Sequence, residues 1–342
     1  MTDRAHLADL FLNTTAWAGA DRAPLAGDAS NRRYERLRQP QSGQSAVLMD
    51  APPEKGEDVR PFVAIDRFLC DNGFSAPQIL AEDDEHGFLL LEDLGDALFA
   101  RVLAPEAKPE AKPDPDAEMT LYRAATNVLI GLHDVTPPTL PHYGPERMAK
   151  LAALAFTKYR MAVTGDDGGA AMTRFRDRFE DILADHTDGP QVICLRDYHA
   201  ENLLWLPDRE GLARVGLLDF QDAMLGHPAY DLVSLLQDIR RDVPAGVEFA
   251  MLQHYIDATG ADDHVFRTAY AVLGAQRNLR ILGVFARLAT EYGKPHYVDL
   301  IPAVWRHLKR DLDHPALAPV ADLLLTELPA PGAEALARLK SA

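Results

Sequence analysis

Two aspartates and an asparagine, each set beside a short apolar run, are the residues of this 342-residue chain best suited to chemistry. Asp197 and Asn202 stand five positions apart, after Val192-Ile193-Cys194-Leu195-Arg196 and before Leu203-Leu204-Trp205. Asp219 lies seventeen residues further on, at the end of Val215-Gly216-Leu217-Leu218, and begins Asp219-Phe220-Gln221. Transfer of a phosphoryl group to a hydroxyl uses such a set. One carboxylate accepts or orients the hydroxyl proton, while an amide oxygen and a second carboxylate hold Mg²⁺ against nucleotide phosphates. A single loop aspartate is ordinarily a turn or cap residue. The ordered trio carries the reading.

These side chains need short strands that end where they begin. Residues 192–195 read as a buried strand, with Cys194 inside it, and residues 203–218 as a strand pair. Upstream, residues 5–17 read as a short amphipathic helix. Strands follow at Arg33 to Arg38, Ser45 to Met49, after Ala76-Pro77, and at Gly87 to Glu92. A helix is expected from about Arg60 to Asn72. Residues 104–118 mix four prolines with charges and form no packed element. Helices are expected over 117–135, 147–163 and 170–187, with His133 as a packing or capping residue. Residues 246–342 read as helical, with Pro329 to Gly332 breaking the last helix.

The words Leu195-Arg196-Asp197 and Asn202, then Asp219-Phe220-Gln221, match the order and spacing of the protein-kinase catalytic loop and its metal-binding acid. The chain resembles the aminoglycoside phosphotransferase and choline kinase superfamily. Within it, the resemblance is nearest to bacterial anomeric kinases of N-acetylmuramate and N-acetylglucosamine. The narrower likeness rests on five stretches: Gly27-Asp28-Ala29-Ser30-Asn31-Arg32-Arg33-Tyr34, Met49-Asp50-Ala51-Pro52-Pro53, Arg60-Pro61-Phe62-Val63, Gly87 to Gly95, and Gln276-Arg277-Asn278-Leu279-Arg280. It implies an α+β, two-lobe, protein-kinase-like fold. Residues 1–94 would form a small, mainly antiparallel nucleotide-binding lobe, and residues 95–342 a larger, mainly helical catalytic lobe.

The resemblance also implies roles. ATP and Mg²⁺ are the expected cofactors, with Asp197 catalytic and Asn202 and Asp219 on the metal. The turn Gly27, Asp28, Ala29, Ser30, Asn31 would cover the phosphates, helped by Arg32 or Arg33. Backbone groups of Glu92 and Leu94 would meet the purine edge. Asp231, in Pro228-Ala229-Tyr230-Asp231-Leu232, would brace the catalytic loop. Arg277 and Arg280, three apart on one helix face, can pair with the lactyl carboxylate of N-acetylmuramate or with the chain's own acids. One feature departs from the superfamily. The strand position expected to hold a phosphate-binding Lys is Met49, and the next helix offers no matching Glu. Arg32 or Arg33, and after them Lys55, are the candidate replacements. The implied setting is recycling of cell-wall sugars. Alternatives with the same fold are aminoglycoside, choline or homoserine kinases, and an idle nucleotide-binding protein is a further one.

Composition narrows the partners. A formal charge of −17 argues against nucleic acid. It does not choose between a sugar and a cationic substrate. The two cysteines, Cys70 and Cys194, form no CxxC pair, so neither zinc nor a disulfide framework is indicated. No apolar run approaches about 18 residues, so no membrane span is expected. A cytoplasmic location and no obligate protein partner are expected.

Overall fold

The computed structural model describes residues 4–25, 31–104 and 115–341. The chain forms two compact units, Met1–Val128 with Ala200–Ala223, and Leu129–His199 with Met224–Ala342. The architecture is α+β, as the sequence predicts. Gly27, Asp28, Ala29 and Ser30, and most of the proline-rich stretch, lie outside the described residues. The division expected at residue 94 falls just after the main sheet ends, whereas the first compact unit runs on to Val128.

The first unit begins with α1 (Arg4–Asn13), followed by β1 (Asp21–Leu25), β2 (Arg33–Arg38), β3 (Ser45–Asp50), α2 (Arg60–Asp71), β4 (Ile79–Asp83) and β5 (Phe88–Glu92). The strands form one antiparallel sheet of order β1-β2-β3-β5-β4. Ala8, Phe11 and Leu12 of α1 join Leu37, Ala46, Leu48, Phe88 and Leu90 in a core on one face. Strand side chains alternate between faces, so Met49, Leu89 and Leu91 point the other way, and they are buried too. Burial on both faces explains the unbroken Leu89-Leu90-Leu91 run. Sequence reasoning missed β1. Its residues are largely exposed, and Pro24 suits only an edge strand, which is where β1 lies. In α2 the buried residues are Phe62, Ile65, Asp66 and Leu69, an i, i+3, i+4, i+7 stripe that includes an acid. Gly87 is required: at φ 75° its added Cβ would lie 2.0 Å from the Ala51 carbonyl oxygen. Next come α3 (Phe99–Val102) and α4 (Pro115–Asp134).

In the second unit α5 (Pro145–Ala152), α6 (Met161–Thr164) and α7 (Gly169–His186) lead to β6 (Val192–Cys194). The chain then contributes β7 (Leu203–Trp205) and β8 (Val215–Leu217), an antiparallel pair of the first unit. It resumes the second unit with β9 (Met224–Gly226), paired antiparallel with β6. The helices α8 (Ala229–Leu236), α9 (Ala245–Thr259), α10 (Asp263–Tyr292), α11 (Ile301–Leu312), α12 (Ala318–Glu327) and α13 (Ala333–Ser341) complete it.

Helix α10 is the axis of this unit, packed against α5, α7, α8, α9, α11 and α13. Asp262 caps its start by accepting the Val265 N–H at 2.9 Å, and Gly293 closes it in the left-handed region. The helix expected over 147–163 is interrupted by a π-helical turn, Ala155–Arg160. Beside that turn a Cβ at Gly283 of α10 would stand 2.4 Å from Leu154, so this approach admits only glycine. His133 packs as expected, with Nδ1 3.0 Å from the Tyr255 hydroxyl.

Candidate active site

In the second unit, the turn that leads into Asp197 has two of its peptide groups held by helix α8. Cys194 ends β6 fully buried, as predicted. The Leu195 and Arg196 N–H groups then donate to the two carboxylate oxygens of Asp231, at 2.6 and 2.8 Å. Asp231 is buried in the first turn of α8. Burial pushes its carboxyl up to about 7, against the pull of those two donors. Arg196 has φ 73°, and the Asp197 N–H donates back to the Leu195 carbonyl at 2.9 Å. This is a tight turn of the strained, positive-φ kind, which a non-glycine residue keeps only when its surroundings impose it. The Arg196 carbonyl accepts from Ser234 Oγ at 3.2 Å. Ser234 Oγ in turn accepts from Arg277 Nη2 at 2.8 Å.

Burial alone would raise the Asp197 carboxyl, but Arg280, His199, Arg277 and Arg196 outweigh it and hold it below the usual value. His199 is itself driven down to about 4 by burial and Arg240, so at neutral pH the arginines supply the effect. Asp197 is therefore ionised at neutral pH. Arg280 is half-buried near Tyr230 and Tyr143, whose rings meet edge to face with centroids 5.0 Å apart. Arg277 is 3% exposed. Both arginines predicted from the sequence thus lie near Asp197, at different depths.

In the first unit, Asn202 and Asp219 come together. The Leu218 N–H donates to the Asn202 carbonyl at 3.0 Å, and Asn202 Nδ2 lies 3.5 Å from Asp219 Oδ2. Asp219 has φ 58°, and its other oxygen accepts from Gln221 Nε2 at 2.7 Å. An amide oxygen and a carboxylate suit a hard divalent cation such as Mg²⁺, which takes few protein ligands and completes its shell with water and phosphate oxygens. Among the described residues no cluster of three or more His, Cys, Asp or Glu forms a metal site of another type.

Of the residues predicted to meet a nucleotide, the described ones, Asn31, Arg32, Arg33, Glu92 and Leu94, lie in the first unit. Asn31 N–H and Arg32 Nε both donate to the Glu57 carboxylate, each at 3.0 Å, while Arg33 opens β2 and is exposed. Met49 is fully buried. Glu92 donates its N–H to the Gln78 carbonyl at 2.8 Å, and Leu94 packs on Gly216. Two arginines that sequence reasoning passed over grip this stretch. Arg36 of β2 reaches Asp93 and Asp96, at 3.0 and 2.8 Å, and Arg209 donates to Glu92 and, at 2.7 Å, to Ser75 Oγ. Asp66 was also missed. It is 2% exposed, its Oδ2 has no hydrogen-bond partner among the described residues, and burial pushes its carboxyl up to about 7. The stripe of α2 held the clue, since an acid at a core position of an amphipathic helix is anomalous.

The first unit is built on a sheet and the second on helices, and Asp197, Asn202 and Asp219 each stand in a loop next to a short strand, features found in phosphotransferases. Residues 21–268 match the phosphotransferase enzyme family, and the chain belongs to it. Similar curated proteins are more specific. It is 38% identical to an N-acetylmuramate/N-acetylglucosamine kinase of Caulobacter vibrioides, over 90% of this chain and 92% of that protein. It is 34% identical to one of Pseudomonas aeruginosa, over 92% and 90%. Among solved structures, a microcompartment-associated aminopropanol kinase superposes with a TM-score of 0.61 at 13% identity, covering 95% of this chain and 99% of that one. A choline/ethanolamine kinase family protein from Mesorhizobium loti gives 0.58 at 15%, over 99% and 100%. At those identities the likeness is one of fold, and the fold is that of these small-molecule kinases.

Proposed function

We propose that this chain transfers the γ-phosphoryl group of ATP to the anomeric hydroxyl of N-acetylmuramate, N-acetylglucosamine or both. The observation that carries the reading is the agreement of four curated relatives, 31–38% identical over 88–93% of the chain, on that pair of sugars. Residues 1–94 serve the nucleotide and residues 95–342 the sugar and the chemistry.

Asp197 receives or orients the sugar hydroxyl. Its lowered proton affinity favours orientation, because a weak base takes little of the proton before the phosphoryl group has moved. Asn202 and Asp219 hold Mg²⁺, which when bound neutralises charge on the phosphates. Asp231 keeps the Leu195-Arg196 peptides in place, so that Asp197 is presented in one orientation. The turn Gly27, Asp28, Ala29, Ser30 and Asn31 covers the phosphates, and the exposed Arg33 supplies the charge that Met49 cannot. Glu92 and Leu94 present backbone groups to the base. Arg280 faces the sugar and pairs with its carboxylate where one is present. The setting is salvage of cell-wall sugars in the cytoplasm, without an obligate protein partner.

The test is ADP release with Mg²⁺-ATP on N-acetylmuramate, N-acetylglucosamine, kanamycin, choline and homoserine, with phosphorus NMR of the product. An acid-labile sugar 1-phosphate, absent when 1-O-methyl N-acetylglucosamine is offered, establishes the reading. Turnover only on kanamycin, choline or homoserine overturns the substrate and leaves the phosphotransferase standing.

A further inference from the structure

The Arg196 backbone is held on both sides by one helix. Asp231 and Ser234, three apart on α8, face the same way. The first accepts the Leu195 and Arg196 N–H groups, and the second donates to the Arg196 carbonyl. A hydroxyl can also accept, so its direction has to be set. Arg277 sets it: Nη2 donates into Ser234 Oγ at 2.8 Å, which leaves the hydroxyl hydrogen for the Arg196 carbonyl. Arg277 Nε and Nη1 have no acceptor among the described residues. A buried guanidinium with one neutral acceptor is a costly way to fill space, and an apolar residue of similar volume would be cheaper. Its position is explained by what it does to Ser234 and by its charge beside Asp197.

We propose that Ser234 and Arg277 are positioning residues. They lock Arg196 in its left-handed conformation from the carbonyl side, as Asp231 does from the N–H side, and so fix the direction in which Asp197 is presented. This rests on Asp197 being the carboxylate that receives the hydroxyl. Arg277 then stands behind the site rather than in it, and Arg280 alone of the pair reaches substrate.

Two measurements test the lock. In Ser234→Ala, amide hydrogen exchange over residues 194–198 accelerates while α10 and β7–β8 keep wild-type protection. This reading does not depend on which substrate the enzyme takes, and unchanged exchange over 194–198 overturns the lock. Kinetically, Ser234→Ala lowers kcat about ten- to a hundredfold with KM for ATP and sugar within about twofold. Arg196→Gly accepts positive φ without strain. The Ser234→Ala penalty is therefore several-fold smaller when measured in an Arg196→Gly background. Equal penalties in both backgrounds, or an effect confined to KM, overturn the proposal. Arg277→Lys, which keeps the charge, retains more activity than Arg277→Met; equal losses count against the assigned role of Arg277.

Discussion

Phe62 of α2 and Phe220, the residue after Asp219, stack with ring centroids 4.8 Å apart and planes 30° from parallel. Both rings are buried. The pair ties a helix near the start of the chain to the loop that carries the second acid of the trio. Asp219 sits at positive φ, and the packing of its neighbour helps to impose that conformation.

Phe62→Ala removes the stack and leaves a cavity. A loss of about 3 kcal/mol in stability is expected for such a truncation, read as a lower urea midpoint at unchanged slope. The more specific outcome is kinetic. With Asp219 less firmly held, the Mg²⁺ concentration for half-maximal rate rises several-fold, while Phe62→Leu lies between the two. A stability loss with no change in Mg²⁺ dependence would separate the stack from the metal-binding role of Asp219.

The arginine grip on residues 92–96 leads to a nucleotide phenotype. Arg36 and Arg209 hold Asp93, Asp96 and Glu92 by charge-assisted bonds, which fix a backbone more firmly than neutral ones. If that backbone meets the purine edge, Arg36→Ala and Arg209→Ala raise KM for ATP several-fold and leave kcat near wild type. Arg36→Lys does not restore it, because ammonium cannot span two carboxylates as guanidinium does. Titration calorimetry with ATP, together with initial rates, distinguishes this from a general loss of stability.

Much of this organisation is legible in the sequence, for identifiable reasons. Asp197, Asn202 and Asp219 are found because their spacing is local and each sits at an apolar run. Cys194 is placed by its neighbours alone. Helix α10 falls within the stretch 246–342 that reads as helical, although the ends of this one helix emerge only in the structure. What escapes a reading of the sequence depends on pairings between distant parts of the chain. Ser234 lies within Leu232-Val233-Ser234-Leu235-Leu236, and nothing in that run says that it meets a carbonyl 38 residues earlier. Arg209 lies 117 residues from Glu92. β1 is hidden because an exposed edge strand lacks the hydrophobic alternation that marks a half-buried one. Asp66 is overlooked for another reason: the expected partner of an absent Lys is a Glu, and an acid out of place on the buried stripe of α2 answers a different question.

That misplaced acid makes stability depend on pH. Asp66 titrates near 7 in the folded chain, against 3.8 for an unperturbed aspartate. Between those values the folded state binds more protons than the unfolded one, so stability falls as pH rises from about 4 through 7. Asp311, held by Gln237 and Asn278 and pushed up to about 8 by burial, acts in the same direction. Asp66→Asn removes the ionisation without changing the shape. It is expected to stabilise the protein at pH 8 by on the order of 2 kcal/mol and to do little at pH 5. A melting temperature that rises equally at both pH values would point to packing instead.

Asp231 lets the rate and the stability respond to pH in opposite senses. As pH falls through about 7, its carboxyl takes up a proton. The protonated oxygen becomes a poor acceptor, and one of the Leu195 and Arg196 N–H groups loses its partner. Asp197 itself stays ionised, because its proton affinity is held below the ordinary carboxylate value. An acid limb in kcat near pH 7 therefore belongs to Asp231, although Asp197 is the residue that meets the hydroxyl. Over the same interval the protonated folded state gains stability, by the sign worked out for Asp66. Rate thus rises from pH 5 to 8 while the melting temperature falls. Asp231→Asn keeps one acceptor and turns an N–H toward a donor, so kcat drops about ten- to a hundredfold. Its acid limb near pH 7 disappears, and ATP binding persists. Asp197→Asn loses turnover more deeply, by about 10²–10⁴, also with ATP still bound. If the limb near pH 7 survives in Asp231→Asn, another group sets it, and the coupling between the two aspartates is not the one described.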